Sequence, residues 1–243
     1  MIKIETLTCK YDEEPILENL SLHVKRHLSI LGANGAGKST LAKALCNLID
    51  FEGTIVLDAH DIRSLSPQKL AQTIIYIPTK LEVYDPYISV FDFVLLGRFP
   101  YKKSLFEYSK DDKKRVSSNL ELLNLEHLKE HTLSSLSSGE QQLVLIAQAL
   151  TQESKIIIFD EPTANLDPSN AKIIAKHIKL LKESHHVILI THDLHLACYI
   201  DNPVLFISKA TTEYFETREH FFDADTLERL YGVSFHDLAV VYE

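Results

Sequence analysis

The chain has little of what would mark several protein classes. Its 243 residues hold three cysteines, Cys9, Cys46 and Cys198. Their number is odd and they form no CxxC or Cys/His ligand spacing, which argues against a disulfide framework and a zinc ribbon and for three free thiols in a reducing compartment. No apolar run approaches the roughly 18 residues a membrane helix needs. The opening Met1-Ile2-Lys3-Ile4-Glu5 lacks the apolar core of a signal peptide. Any membrane role is therefore expected to pass through a partner. Basic residues are outnumbered, 25 Lys and Arg against 34 Asp and Glu, for a net charge of -9. That balance argues against a general binder of nucleic-acid backbones, and no nucleic-acid partner is expected. Internal repeats, low-complexity tracts and long linkers are absent. Glycine is scarce, with seven in the whole chain.

What is present is alternation. Ile2 to Leu7 and Leu20 to Val24 alternate apolar and polar residues, as half-buried strands do. Leu28 to Leu31 is a short apolar run ending at a glycine-rich turn, and Lys38 to Leu48 follows with helical spacing of Leu41, Leu45 and Leu48. Further strands are predicted at Ile74 to Ile77, Ile156 to Phe159, Val187 to Ile190 and Val204 to Ile207, with helical stretches between them. Strands alternating with helices imply an α/β fold around a mainly parallel, buried sheet. From about Ser89 to Leu150 the chain turns helical and more charged, which predicts an inserted helical subdomain spanning approximately residues 80–150. Asp111 to Arg115 reads as a solvated helix start.

Three of the seven glycines lie in Gly32-Ala33-Asn34-Gly35-Ala36-Gly37-Lys38-Ser39. This segment fits G-x-x-x-x-G-K-[ST], the phosphate loop, at every defined position. Glycine lets successive N–H groups turn toward one centre, and the following helix adds the positive end of its dipole. Lys38 is expected to reach the β- and γ-phosphates of ATP, Ser39 to ligate Mg²⁺ and Thr40 to add a phosphate contact. Downstream, Ile156-Ile157-Ile158-Phe159-Asp160-Glu161 is an apolar strand ending in two carboxylates. Asp160 is placed to hold Mg²⁺ through water, and Glu161 to polarise the water that attacks the γ-phosphate. Twelve histidines are present, but His185-His186 and His192/His195 lack the spacing of a zinc site, so no metal is expected on them.

A third segment, Leu136-Ser137-Ser138-Gly139-Glu140-Gln141-Gln142, precedes a long apolar helix. Alone it reads as a Ser-capped helix start. Between the phosphate loop and the Asp160 strand it resembles the signature motif of ATP-binding-cassette (ABC) proteins, usually written LSGGQ. Ser137 and Gly139 match that form, while Ser138 and Glu140 depart from it. Pro162-Thr163-Ala164-Asn165-Leu166-Asp167 resembles the family's D-loop, and Ile190-Thr191-His192-Asp193 its switch histidine. Tyr11 sits where the family places an aromatic that stacks on adenine, although a lone tyrosine there also suits a surface or core position. The resemblance runs from about residue 2 to residue 210.

That resemblance implies a P-loop NTPase fold of the ABC ATPase type. A single domain over 1–243 would carry an N-terminal antiparallel β subdomain beside the parallel core. It implies two copies sandwiching two ATP molecules, with Ser137 and the Gly139 N–H of one copy donating to the γ-phosphate held by the other. Tyr84 to Pro100, with Val94, Gly97, Arg98 and Pro100 in a V-x-x-G-R-x-P pattern, and Leu230-Tyr231-Gly232-Val233 are similar to the importers of ferric siderophores, haem and vitamin B12. The plainer reading of Val94 to Pro100 is a core helix with a turn. An importer implies a membrane permease and, indirectly, a periplasmic or surface substrate-binding protein, with this chain cytoplasmic on the inner face of the membrane. The alternatives are an exporter or lipoprotein-extraction subunit, and a soluble cassette acting on DNA or ribosomes. One departure stands out. Where the family carries a Gln after the strand at Ile74 to Ile77, this chain has Thr79, whose short side chain is expected to leave Ser39 as the only direct protein ligand of Mg²⁺.

Overall fold

A computed structural model describes residues 1–11, 14–82, 85–102, 107–209, 211–232 and 242, with Tyr11 described by its backbone only. Of the residues singled out from the sequence, the Tyr11 ring, Tyr84 and Val233 lie outside the described residues. The strands in chain order are β1 (Ile2–Tyr11), β2 (Glu14–Val24), β3 (Leu28–Leu31), β4 (Glu52–Leu57), β5 (His60–Asp61), β6 (Ile74–Ile77), β7 (Ile156–Asp160), β8 (His186–Ile190), β9 (Val204–Ile207) and β10 (Thr212–Phe215). The α-helices are α1 (Lys38–Leu45), α2 (Pro67–Ala71), α3 (Val90–Leu95), α4 (Lys110–Leu122), α5 (Ser138–Gln152), α6 (Pro168–Leu181), α7 (Leu194–Ile200), α8 (Arg218–Phe221) and α9 (Ala224–Tyr231).

Two sheets organise these elements. One is antiparallel, in the order β2-β1-β4-β5, and the other has the order β10-β9-β3-β8-β7-β6. In the second, β9, β3, β8, β7 and β6 run parallel and β10 closes the edge antiparallel to β9. Its inner strands β3, β7 and β9 are buried at every residue, which is why they read as unbroken apolar runs. The alternation in β1 needs one correction of phase. Ile2 and Ile4 face the core, and strict period two would bring Thr6 inward next. A bulge with Thr6 at φ 49° shifts the register, so Leu7 and Cys9 are buried instead.

The two faces of the core sheet sort its layers. Ile156 and Ile158 of β7 pack with α1 and the antiparallel sheet. Ile157 and Phe159 point the other way, into a core shared with α3, α4, α5, α6 and α7. All parallel strands therefore deliver their carboxyl ends to one edge. Helix α1 stops at Leu45, short of the expected Leu48. Asn47 takes φ 53° and Leu48 is 62% exposed.

The segment between β6 and β7 carries α3, α4 and α5, and its Gly97-Arg98 pair has a structural role. A Cβ on Gly97 would lie 2.6 Å from the Gln148 carbonyl oxygen of α5. Arg98 is 6% exposed. It donates to Asp112 at 2.7 Å, to Glu153 at 2.9 Å and to the Thr151 carbonyl at 2.9 Å, and its guanidinium lies over the Tyr101 ring. The expected solvated start at Asp111 to Arg115 is thus corrected at one residue. Asp112 is largely buried against Arg98, while Arg115 stays exposed and pairs with Glu153. A buried guanidinium must be neutralised on several sides at once.

Candidate active site

Strand β3 ends at Leu31 and α1 starts at Lys38, so the glycine-rich loop turns at the sheet's carboxyl edge. Two of its glycines are required by geometry. At Gly32, φ is 141° and a Cβ would collide with the Ile207 carbonyl oxygen of β9. Gly37 is the residue before α1, with φ 95°, and a Cβ there would lie 2.9 Å from the Ile16 and Leu17 side chains of β2. No side chain caps α1 and no acid occupies its first turn. Its first N–H groups therefore remain available to an anion. Ala33, Asn34, Gly35 and Ser39 are exposed, Ala36 is buried and Thr40 is half-buried.

Lys38 is 7% exposed, and its Nζ donates to the Gly32 and Ala33 carbonyls at 2.9 and 3.0 Å. Burial lowers its pKa, opposed by the nearby carboxylates of Glu161 and Asp160. Those carboxylates sit at the end of β7. Asp160 is 3% exposed. Its Oδ2 accepts from the Tyr76 hydroxyl at 2.6 Å, and its Oδ1 is buried with no hydrogen-bond partner. Burial, then the bond to Asp160, push the Tyr76 phenol up, so it stays a donor. A cavity of about 650 Å³ is lined by Ser39, Tyr76, Thr79 and Asp160 and reaches Gln148. An aspartate and a serine lining one cavity fit a hard, oxygen-seeking cation. Among the described residues no cluster of three His, Cys, Asp or Glu could hold a metal. A cation in this cavity would take its remaining ligands from phosphate and water.

Glu161 adopts φ 49°, an uncommon conformation for a non-glycine residue. Its N–H donates to the Ile190 carbonyl at 2.8 Å, which ties it to the end of β8. The Oε2 atom accepts from Thr191 Oγ1 at 3.2 Å and from the His192 N–H at 3.3 Å, while Oε1 lies 2.9 Å from His192 Nδ1. The carboxylate is mostly buried; the imidazole is 61% exposed. Such strain at a candidate reacting group, held by neighbours on another strand, is typical of functional sites.

Ser137, Gly139 and Asp167 form a separate group. Ser137 caps α5 and shares a reciprocal capping box with Glu140, its hydroxyl donating to Glu140 Oε2 at 2.7 Å. The Ser137 hydroxyl and N–H hold Glu140 ionised to lower pH than usual. A Cβ on Gly139 would lie 2.7 to 2.9 Å from the Asn170 side-chain amide. Asn170 in turn donates to Asp167 at 2.6 Å, and Asp167 caps α6. The structure therefore brings the phosphate loop, Asp160, Glu161 and His192 to one edge. Among the described residues, no hydrogen bond or ion pair links Ser137, Gly139 or Asp167 to that edge.

Three contributors escaped the sequence reading: Tyr76, Asn170 and Tyr242, whose hydroxyl donates to Asp193 at 2.6 Å. Only Tyr76 carried a signal, a phenol in an otherwise aliphatic strand paired with β7 through Ile158. A second cavity, about 670 Å³, lies beside the loop and is lined by Pro15, Ile16, Gly35, Ala36, Ser208 and Thr211. Its volume suits a nucleoside next to bound phosphates.

The family described as ABC transporter matches residues 17–164. An uncharacterized ABC transporter ATP-binding protein of Methanocaldococcus jannaschii is 37% identical over 238 residues, covering 96% of this chain and 92% of that protein. A structure described as a metal-chelate type ABC transporter in an inward-facing conformation superposes with a TM-score of 0.84 at 29% identity. It covers 98% of this chain and 91% of its own. The dimeric post-hydrolysis state of an ATP-binding cassette bound to ADP and phosphate superposes at 0.77 with 27% identity, covering 89% and 98%.

Proposed function

The chain belongs to the ABC transporter family and is an ATP hydrolase of it; from that premise we propose that it powers the import of a metal chelate of the ferric-siderophore, haem or cobalamin type. The reading treats residues 1–243 as one ATPase domain, with approximately residues 80–150 as its helical subdomain. The observation that carries the chemistry is the end of β7. There Asp160, with one buried oxygen left unpartnered, lines the Ser39 cavity, and Glu161 is tied to His192.

In this reading Gly32 to Thr40 wrap the phosphates with backbone N–H groups. Lys38 leaves the Gly32 and Ala33 carbonyls for the β- and γ-phosphates, and Tyr11 stacks on adenine. Ser39 and Asp160 would hold Mg²⁺, Asp160 through water, with Thr79 too short to join them. Bound Mg²⁺ would offset the phosphate charge. Glu161 accepts the proton of the attacking water as its oxygen bonds to the γ-phosphorus, and ADP departs as the leaving group. His192, anchored to Glu161, presents its exposed imidazole toward the γ-phosphate. Positioning and charge carry such a reaction.

The second surface comes from another copy. Ser137 and the Gly139 N–H sit at the start of α5, where a helix terminus suits an anion, and Asp167 braces them through Asn170. The dimeric cassette bound to ADP and phosphate supports a two-fold sandwich of this kind. Exposed apolar side chains at Tyr87, Leu96 and Phe99 offer a permease contact within the helical subdomain. Among the described residues no helix is long and apolar enough to cross a membrane, so such a partner would supply the channel. The metal-chelate type neighbour supports import, with a substrate-binding protein outside and this chain peripheral on the cytoplasmic face. Glu161→Gln tests the reading: with Mg-ATP the variant should elute as a dimer and turn over about 10²–10⁴-fold more slowly than wild type. A monomer at saturating ATP, or near-normal turnover, contradicts it.

A further inference from the structure

One side chain reaches the switch segment from outside every motif. Tyr242 is 8% exposed and belongs to the core on the α5 and α6 side of the sheet. Its ring packs against Tyr199 of α7 with centroids 5.8 Å apart. Its hydroxyl donates to Asp193 Oδ2 at 2.6 Å.

That partner adjoins the reacting pair: Asp193 follows His192 directly. Asp193 is already the residue that fixes the start of α7. Its Oδ1 accepts the N–H groups of His195 and Leu196 at 2.9 and 3.1 Å, and its own N–H donates to Thr191 Oγ1 at 3.0 Å. That hydroxyl donates onward to Glu161 Oε2 at 3.2 Å. His192 is therefore suspended between two residues whose side chains are both engaged. The carboxylate that ends the span has only one oxygen left for an external anchor.

We propose that Tyr242 is a positioning residue for ATP hydrolysis, anchoring the Asp193 cap that follows His192 and so setting how His192 meets Glu161. This rests on the reading of Glu161 and His192 as the hydrolytic pair. A buried phenol donating to a carboxylate is a short, charge-assisted bond. Burial, then the Asp193 carboxylate, push the phenol up, so it remains a donor across the working pH range. Tyr242 makes no hydrogen bond to the phosphate loop or to Asp160, so its removal should act on turnover rather than on nucleotide binding.

Tyr242→Phe keeps the ring and deletes the donor. We expect kcat to fall by about three- to ten-fold, the range of one hydrogen bond, with KM and ATP affinity within about two-fold. Amide hydrogen exchange over residues 192–196 of the nucleotide-free protein should speed up by a similar factor, because this readout follows the pin and not the chemistry. Asp193→Asn, which keeps an N-cap oxygen, should show a loss that the double variant with Tyr242→Phe does not exceed. Wild-type kcat and exchange in Tyr242→Phe would overturn the proposal. So would losses that multiply in the double variant, or a proportional fall of ATP affinity, melting temperature and kcat together. A wild-type protein without ATPase activity would refute the hydrolytic reading alone, and the exchange data would still decide whether Tyr242 is the pin.

Discussion

His192 Nδ1 lies 2.9 Å from Glu161 Oε1, while the backbone N–H of the same histidine donates to Oε2 of the same carboxylate at 3.3 Å. One residue thus holds both oxygens of the other. Glu161 sits at the end of β7 and His192 just past the end of β8, neighbouring strands in register from Ile156 and His186. The contact therefore follows from sheet topology rather than from a mobile loop. His192→Ala should lower kcat by about 10²–10³-fold, as loss of a group that orients or stabilises the reacting centre does, with ATP affinity nearly unchanged. Phosphate-release kinetics beside a direct ATP titration separate the two. A loss of kcat under about three-fold, no more than one hydrogen bond accounts for, would show that Glu161 keeps its position without the imidazole.

Tyr76 decides which oxygen of Asp160 is free. With the phenol on Oδ2, only Oδ1 is left without a hydrogen-bond partner. Tyr76→Phe lets the carboxylate rotate, and it should raise the Mg²⁺ concentration for half-maximal ATPase about three- to ten-fold, the effect of one hydrogen bond. Binding of Mn²⁺ with ADP, followed by electron paramagnetic resonance, should weaken in parallel. Thr79→Gln should act in the opposite sense, since a longer amide on the same cavity can reach the cation. Unchanged Mg²⁺ dependence in both variants would remove this cavity from metal binding.

The fold itself should be acid-sensitive at His27. Its Nδ1 accepts the Val187 N–H at 3.1 Å, a role the protonated ring cannot play. Burial, with Lys182 and Arg26 adding to it, lowers its pKa from 6.5 to about 4. The folded value is depressed, so the unfolded state binds more protons between these limits. The stabilisation is complete above pH 6.5 and is lost as pH falls toward 4. Urea midpoints should therefore drop between pH 7 and pH 5. His27→Gln, whose amide oxygen accepts the same bond without titrating, should flatten that slope. Equal slopes for the two proteins would contradict the assignment.

Much of the site was legible because its residues are close in sequence or placed by strand ends. Gly32 to Ser39 is a local spacing, and Asp160 and Glu161 follow an apolar strand that only a buried parallel sheet explains. What was not legible depends on contacts between distant segments. Tyr76 meets Asp160 across 84 residues and Tyr242 meets Asp193 across 49, and neither pairing leaves a periodicity. Asn170 matters because Gly139 packs on it, which only the crossing of α5 and α6 reveals. The Gly97-Arg98 stretch shows the opposite case. It was read chiefly as a mark of one importer group, yet the glycine admits the α5 backbone and the arginine gathers Asp112 and Glu153. A stretch that resembles a family's pattern can serve packing as well as function. The bulge at Thr6 was invisible because alternation alone cannot report a change of phase.

The central claim is that one catalytic centre is built from two copies, with Lys38 on one side and Ser137 on the other. Mixed dimers test this most directly. Lys38→Ala and Ser137→Ala, each inactive alone, should regain activity when co-purified. In a mixed pair, one composite site carries both substitutions and the other carries neither. Random pairing makes half the dimers mixed, so ATPase should recover to about a quarter of wild type if sites work independently. Activity no higher than that of either parent, in dimers shown by mass to contain both variants, would contradict the composite site.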